Sequence, residues 1–130
     1  MAQIKIYGVR SVLGSRRAAL SDVIHASAVA AFAPPEDKRF HRFIGLDPED
    51  FIYPAGRTSA YTIVEIVMFE GRSVATKKKF YAELYARAHA ELGLGANDLE
   101  VSIIDTPRHD WAIRGQPGDE LQLNYQVNVD

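Results

Sequence analysis

Shifting the start of this 130-residue chain by 62 positions lays its first strand, turn and first helical turn over a second copy without a gap. Ile4 falls on Ile66, Ile6 on Met68 and Tyr7 on Phe69. Arg10 falls on Arg72, Ser11 on Ser73, Arg16 on Lys78 and Arg17 on Lys79. A repeat of this kind is one supersecondary unit used twice, so the fold of one copy constrains the whole. Each copy opens on residues at strand spacing, crosses a polar turn and enters residues at helical spacing.

In the first copy, Gln3 to Val9 alternates as a strand. Ser15 to Phe32 carries Leu20, Val23, Ile24, Ala28 and Ala31 at helical spacing, and Ser11 and Ser15 are both suitable caps. Pro34-Pro35 ends that helix, and Lys38 to Ile44 alternates again. In the second copy the strand runs from Tyr61 to Phe69. The helix runs from Ser73 to Leu92, with Phe80, Leu84, Ala88 and Leu92 on one face and Gly93 closing it, and Leu99 to Ile104 is the last strand. Each strand–helix–strand crossover should be right-handed and join parallel strands. The expected fold is α+β, a tandem β-α-β repeat giving a four-stranded sheet with two helices on one face.

One domain accounts for residues 1–130: a first unit at 1–45, a connection at 46–59, a second unit at 60–118 and a tail at 119–130. The connection has a short helical turn around Asp47 to Phe51 and turn residues at Tyr53-Pro54-Ala55-Gly56-Arg57. Pro107 to Gly118 reads as loop. Leu121 to Val129 alternates weakly, as a fifth strand able to pair with a neighbouring subunit. Ile4, Ile6, Val64 and Ile66 exceed what two helices can cover. An apolar sheet face is therefore expected to stay open and to be buried by self-association.

Composition removes several function classes. A formal net charge of -2 argues against nucleic-acid binding. The absence of cysteine excludes disulfides, thiolate catalysis and thiolate metal sites. No run of about 18 apolar residues is present to span a membrane, and the first residues lack a signal-peptide pattern, so the cytoplasm is the default location. His41, His89 and His109 have no metal-site spacing and read as surface or structural; no metal or cofactor is called for.

The chemistry concentrates at Glu65 to Ser73, a buried strand running through Glu70-Gly71-Arg72-Ser73 into a helix whose first turns carry Lys77 to Lys79. Such a junction offers backbone N–H groups and the positive end of a helix dipole, and Arg72 adds a planar charged fork. A small carboxylate suits it. The plainer alternative is that Ser73 is an N-cap and Arg72 a solvated loop residue.

Phe69-Glu70-Gly71-Arg72-Ser73, Lys77-Lys78, Val101-Ser102-Ile103-Ile104-Asp105 and Asp110-Trp111-Ala112-Ile113-Arg114-Gly115 together resemble the tautomerase superfamily, whose type member is 4-oxalocrotonate tautomerase. His25, Pro35 and Arg39-Phe40 resemble its longer, duplicated members, among them malonate semialdehyde decarboxylase and cis-3-chloroacrylic acid dehalogenase. The resemblance spans about residues 2 to 121.

It implies a catalytic N-terminal proline exposed by loss of the initiator methionine, and here that position is Ala2. Without Met1, Ala2 presents a primary amine of ordinary pKa about 8, which an apolar pocket lowers; with Met1 retained, its nitrogen is an amide and no base. The resemblance makes Arg72 the carboxylate-binding residue. It makes Arg10 a second clamp or a vestige of duplication, and His25 a substrate contact or a helix residue bonded to backbone. Trp111 becomes a pocket-lining aromatic or a core residue, and Arg114 a loop residue within reach of the site or of a neighbouring subunit. Lys38 and Glu100 depart from relatives that carry an activating carboxylate and a further arginine, which favours proton transfer over dehalogenation or hydration. The implied function is proton transfer on small 2-oxo or enol carboxylates by a homotrimer. The alternative is a degenerate homologue that keeps the trimer and an anion pocket. A generic ferredoxin-like binding domain fits the repeat less well.

Overall fold

The structure, a computed structural model, describes residues 2 to 121. Four main strands form one sheet: β1 (Ala2–Val9), β2 (His41–Leu46), β3 (Thr62–Phe69) and β4 (Leu99–Thr106). Their spatial order is β2-β1-β3-β4. β1 and β2 are parallel, as are β3 and β4, and the two units meet through antiparallel pairing of β1 with β3. This is the α+β tandem arrangement expected from the repeat. In the central register Ile4 lies opposite Ile66, so two repeat-related residues face each other across the junction.

The first crossover is helical from the end of β1. α1 (Arg10–Leu13) is followed by a 3-10 turn at Gly14–Arg16 and then by α2 (Arg17–Phe32). The helical path therefore starts earlier than Ser15, with neither Ser11 nor Ser15 as its cap. Arg17 instead donates to the Gly14 carbonyl at 2.9 Å. α3 (Val74–Leu92) follows the sequence closely. Ser73 is its N-cap, with Oγ accepting from the Thr76 N–H at 3.1 Å. Gly93 ends it at φ +65°, a left-handed conformation that favours glycine.

β2 begins at His41 rather than Lys38. A turn closed by Lys38 N–H to the Pro35 carbonyl occupies the preceding residues, and pairing with β1 sets the strand's start. β4 runs two residues beyond Ile104. A small hairpin, β5 (Ala112–Ile113) with β6 (Gln116–Pro117), lies where a plain loop was expected. Gly118 closes it, its N–H on the Trp111 carbonyl at 2.7 Å. The expected fifth strand lies almost entirely outside the described residues.

One expectation is reversed. Ile4, Ile6, Val64 and Ile66 all lie on the helix-covered face and are buried, with Met68 beside them. The reason is parity. The β1–β3 register pairs even-numbered residues with even-numbered ones, and alternation then puts all of them on one side. The opposite face is mixed: Lys5 is directly opposite Glu65, with Gln3, Tyr7, Ile63 and Val67 around them. Those four isoleucine and valine side chains therefore give no argument for self-association.

α2 and α3 pack on this core, with Phe32 stacked on Phe80 at 5.0 Å between ring centroids. The 46–59 connection is pinned to β4. Thr58 donates through its backbone N–H and its hydroxyl to Asp98, at 2.8 and 2.6 Å. Tyr61 and Arg57 both donate to Glu100. Burial and then the Glu100 hydrogen bond push the Tyr61 phenol up to about 12, so it remains a donor across the working pH range.

Phe80 is fully buried. Its replacement by alanine is expected to cost about 3–5 kcal/mol. Urea unfolding of the Phe80→Ala variant, read as a midpoint change at unchanged slope, measures this.

Candidate active site

β1 starts where β3 ends, and Ala2 lies opposite Met68. Phe69 follows, and the chain then turns through Gly71 (φ +126°) and Arg72 into α3. This brings the first residue of the sheet beside the strand–helix junction of the other repeat. A cavity of about 50 Å³ opens there, lined by Ala2, Ile4, Ile66, Met68 and Phe69 from the sheet and by Ala28 and Phe32 from α2. Its polar lining comes from Arg72, His25, His41 and Lys38. The walls are mostly apolar and the polar groups basic, which suits a small anion with an apolar body.

The twin end of the sheet is packed more tightly. The cleft lined by Leu13, Leu20, Thr62, Leu92 and Leu94 is about 10 Å³. Arg16 crosses there, donating from Nη2 to the Leu92 carbonyl at 2.7 Å.

Of the candidate residues, Ala2, Arg72 and His25 come together in the cavity. The Arg72 guanidinium lies over the Phe32 ring, 5.5 Å from its centroid. His25 is buried, and its Nε2 lies 2.8 Å from the Glu36 carbonyl. A carbonyl only accepts, so Nε2 carries the proton and His25 holds the turn after Pro35.

Arg10, Trp111 and Arg114 do not line this cavity. Arg10 is at the far end of β1, about 25 Å along the strand at roughly 3.3 Å per residue, and pairs with Asp47 at 3.2 Å in the open. Trp111 stands edge-on to Phe69, with ring centroids 5.2 Å apart, and its Nε1–H donates to the Thr106 hydroxyl at 2.5 Å. The Thr106 hydroxyl in turn donates to the Met68 carbonyl at 2.8 Å. Trp111 thus backs the wall that Phe69 and Met68 present to the cavity. Arg114 is exposed at the β5–β6 turn, with φ +52°. Lys77 pairs with Asp105, tying the start of α3 to the end of β4.

Lys38, Phe40 and His41 are lining residues that sequence reasoning did not assign to the site. For His41 a signal existed. It shares the parity of Phe43, and both face inward beside Ile4 and Ile6 once β2 is registered on β1. His41 Nδ1 is 2.8 Å from the Ser21 hydroxyl. Arg39 Nη1 donates to that hydroxyl at 3.3 Å and to Asp22 at 2.6 Å. Burial, then Arg39 and His25, push the His41 imidazole down to about 4, and Asp22 only partly opposes them. Among the described residues, no group of three or more His, Cys, Asp or Glu side chains is placed to hold a metal ion. No helix among them is long and apolar enough to cross a membrane.

Comparison with known proteins gives this cavity a context. A family model described as "Tautomerase enzyme" matches residues 38–114. This chain belongs to the tautomerase family. Among curated relatives, the probable tautomerase YrdN of Bacillus subtilis is 31% identical over 99 residues, covering 72% of this chain and 75% of that protein. The probable tautomerase YusQ of the same organism is 26% identical over 98 residues, covering 72% and 77%. Among solved structures, FG41 malonate semialdehyde decarboxylase inhibited by 3-bromopropiolate superimposes with a TM-score of 0.76 at 27% identity, covering 85% of this chain and 87% of that one. An asymmetric trimer of wild-type fused 4-OT gives 0.79 at 20% identity, covering 91% and 97%, and supports the fold. The four-stranded sheet with its two helices is the tautomerase fold.

For this tautomerase-family chain, the neutral state of His41 has a consequence for stability. Its pKa is about 4 in the folded chain against an ordinary 6.5. Below about pH 6.5 the unfolded chain takes up a proton that the folded chain refuses, so stability falls as pH drops from 6.5 to 4 and then levels. An NMR titration is expected to place the His41 midpoint near 4, and His41→Gln is expected to flatten the stability loss across that window.

Proposed function

We propose that this tautomerase-family chain is an isomerase that moves a proton between carbon and oxygen of a small 2-oxo or enol carboxylate. The observation that carries this reading is that Ala2 and Arg72, from opposite repeats, line one mostly apolar cavity. Arg72 holds the carboxylate through its planar fork. With Met1 removed, the amino group of Ala2 takes and returns the proton. Apolar walls and the positive charges of Arg72 and Lys38 disfavour a charged amine, so its pKa falls below the ordinary value of about 8. That is the direction a base working near neutral pH requires.

Trp111 helps keep water out by holding Phe69 against the cavity. Arg10 and Arg114 belong to a site only across a subunit boundary. We propose a homotrimer, as in the fused 4-OT structures. The inhibition of the similar FG41 decarboxylase by 3-bromopropiolate, a three-carbon carboxylate, is consistent with a small anionic ligand. The chemistry calls for no metal or cofactor.

A second reading rests on Ala2 itself. A primary amine replaces the expected secondary one, and a chain retaining Met1 has no amine there. This reading is a homologue that binds small carboxylates without turning them over.

Ketonisation of phenylenolpyruvate, with intact mass recorded on the same sample, separates the two. Turnover by protein lacking Met1, rising with pH through the amine pKa and falling about 100-fold or more in Arg72→Ala, is the expected result. Silence in the natural chain with turnover in an Ala2→Pro variant lacking Met1 would favour the second reading. Silence in both would sink the enzyme reading.

A further inference from the structure

His41 lines the cavity, and one of its ring nitrogens, Nδ1, has a hydrogen-bond partner. Its Nδ1 faces the Ser21 hydroxyl at 2.8 Å, and Arg39 donates to the same hydroxyl oxygen at 3.3 Å. An oxygen that already accepts from a guanidinium has its own hydrogen to give, and Nδ1 lies in position to take it. With Nδ1 accepting from Ser21, the ring proton is on Nε2. Among the described residues Nε2 makes no hydrogen bond, and it is not sealed away from solvent-sized space. The other cavity histidine differs, because the Nε2–H of His25 is spent on the Glu36 carbonyl.

We propose that His41 binds substrate. Its Nε2–H, fixed in that tautomer by Ser21 and Arg39, donates a hydrogen bond to the carbonyl or enol oxygen of a small 2-oxo carboxylate whose carboxylate Arg72 holds. The proposal rests on the carboxylate reading above and adds the second anchor. Two anchors set which end of the ligand enters and turn its reacting carbon toward Ala2. A neutral donor also suits the chemistry: it stabilises charge gathering on the substrate oxygen without first surrendering its proton. The groups around the ring keep it neutral. Arg39 stands before β2, His25 and Asp22 are on α2, and Lys38 is in the turn; only Asp22 favours the charged form.

The test compares two ligands that differ in one oxygen, 2-oxobutanoate and butanoate, with binding measured by calorimetry at pH 7. The wild type is expected to bind 2-oxobutanoate about three- to tenfold more tightly, the span of one neutral hydrogen bond. Arg72→Ala is expected to weaken both acids alike. His41→Leu should abolish the preference, and His41→Gln, which restores a donor, should regain part of it. Ser21→Ala should reduce the preference with His41 intact, a result that a packing role for His41 would not produce. Nitrogen-15 spectra should show a bare Nδ1 and a protonated Nε2, with Nε2–H shifting only on addition of the oxo acid.

Equal affinity for the two acids, with Arg72→Ala still weakening both, would overturn the His41 assignment and leave the carboxylate site standing. A protonated Nδ1 at pH 7 would overturn it as well. If neither acid binds, the carboxylate site falls and this proposal with it.

Discussion

Everything at the site depends on one ladder of hydrogen bonds, the antiparallel pairing of β1 with β3. Each half is a parallel strand–helix–strand unit with one apolar face. The pairing joins the two faces into one core under two helices and does so about Ile4 and Ile66. Because it is antiparallel, the start of one repeat meets the end of the other's strand. Ala2 thereby comes to lie beside the Phe69–Arg72 junction, although 70 residues separate Ala2 from Arg72.

The two ends of the sheet show how duplication can yield a single site. At one end the small side chain of Ala2 and an apolar helix face leave a cavity that basic groups line. At the other, leucines and the reach of Arg16 across to Leu92 close the equivalent space. Arg10, the repeat mate of Arg72, is turned to Asp47 at that second end. Equal positions in a repeat thus carry unequal chemistry, because the surrounding volume and charge are no longer equal.

Around the open cavity, basic groups outnumber acidic ones, and their roles divide by partner. His25 is spent on backbone and braces the turn that presents Lys38. Arg39 is spent on Asp22 and Ser21 and, through Ser21, orients His41. Trp111, outside the cavity, acts on its wall through Phe69 and Thr106. The apolar lining strengthens the electrostatic effect of the charged groups that face the cavity.

The sequence by itself determined the repeat, the α+β class, the α3 cap at Ser73 and the stop at Gly93. These are local: they follow from period, capping chemistry and backbone preference within a few residues. The tertiary structure alone decided which residues share a cavity and which face of the sheet is apolar. Ile4, Ile6, Val64 and Ile66 were legible as apolar strand residues and read as an open face, but the β1–β3 register put all four on the covered side. Arg10 and Arg72 look alike in sequence, and only the packing at each end of the sheet distinguishes them. His41 read as surface or structural, with no role at the site, because its partners Ser21, Asp22 and Arg39 reach it only once α2 packs beside β2. Register and packing are sums over contacts between distant residues, and no local pattern in the chain encodes them.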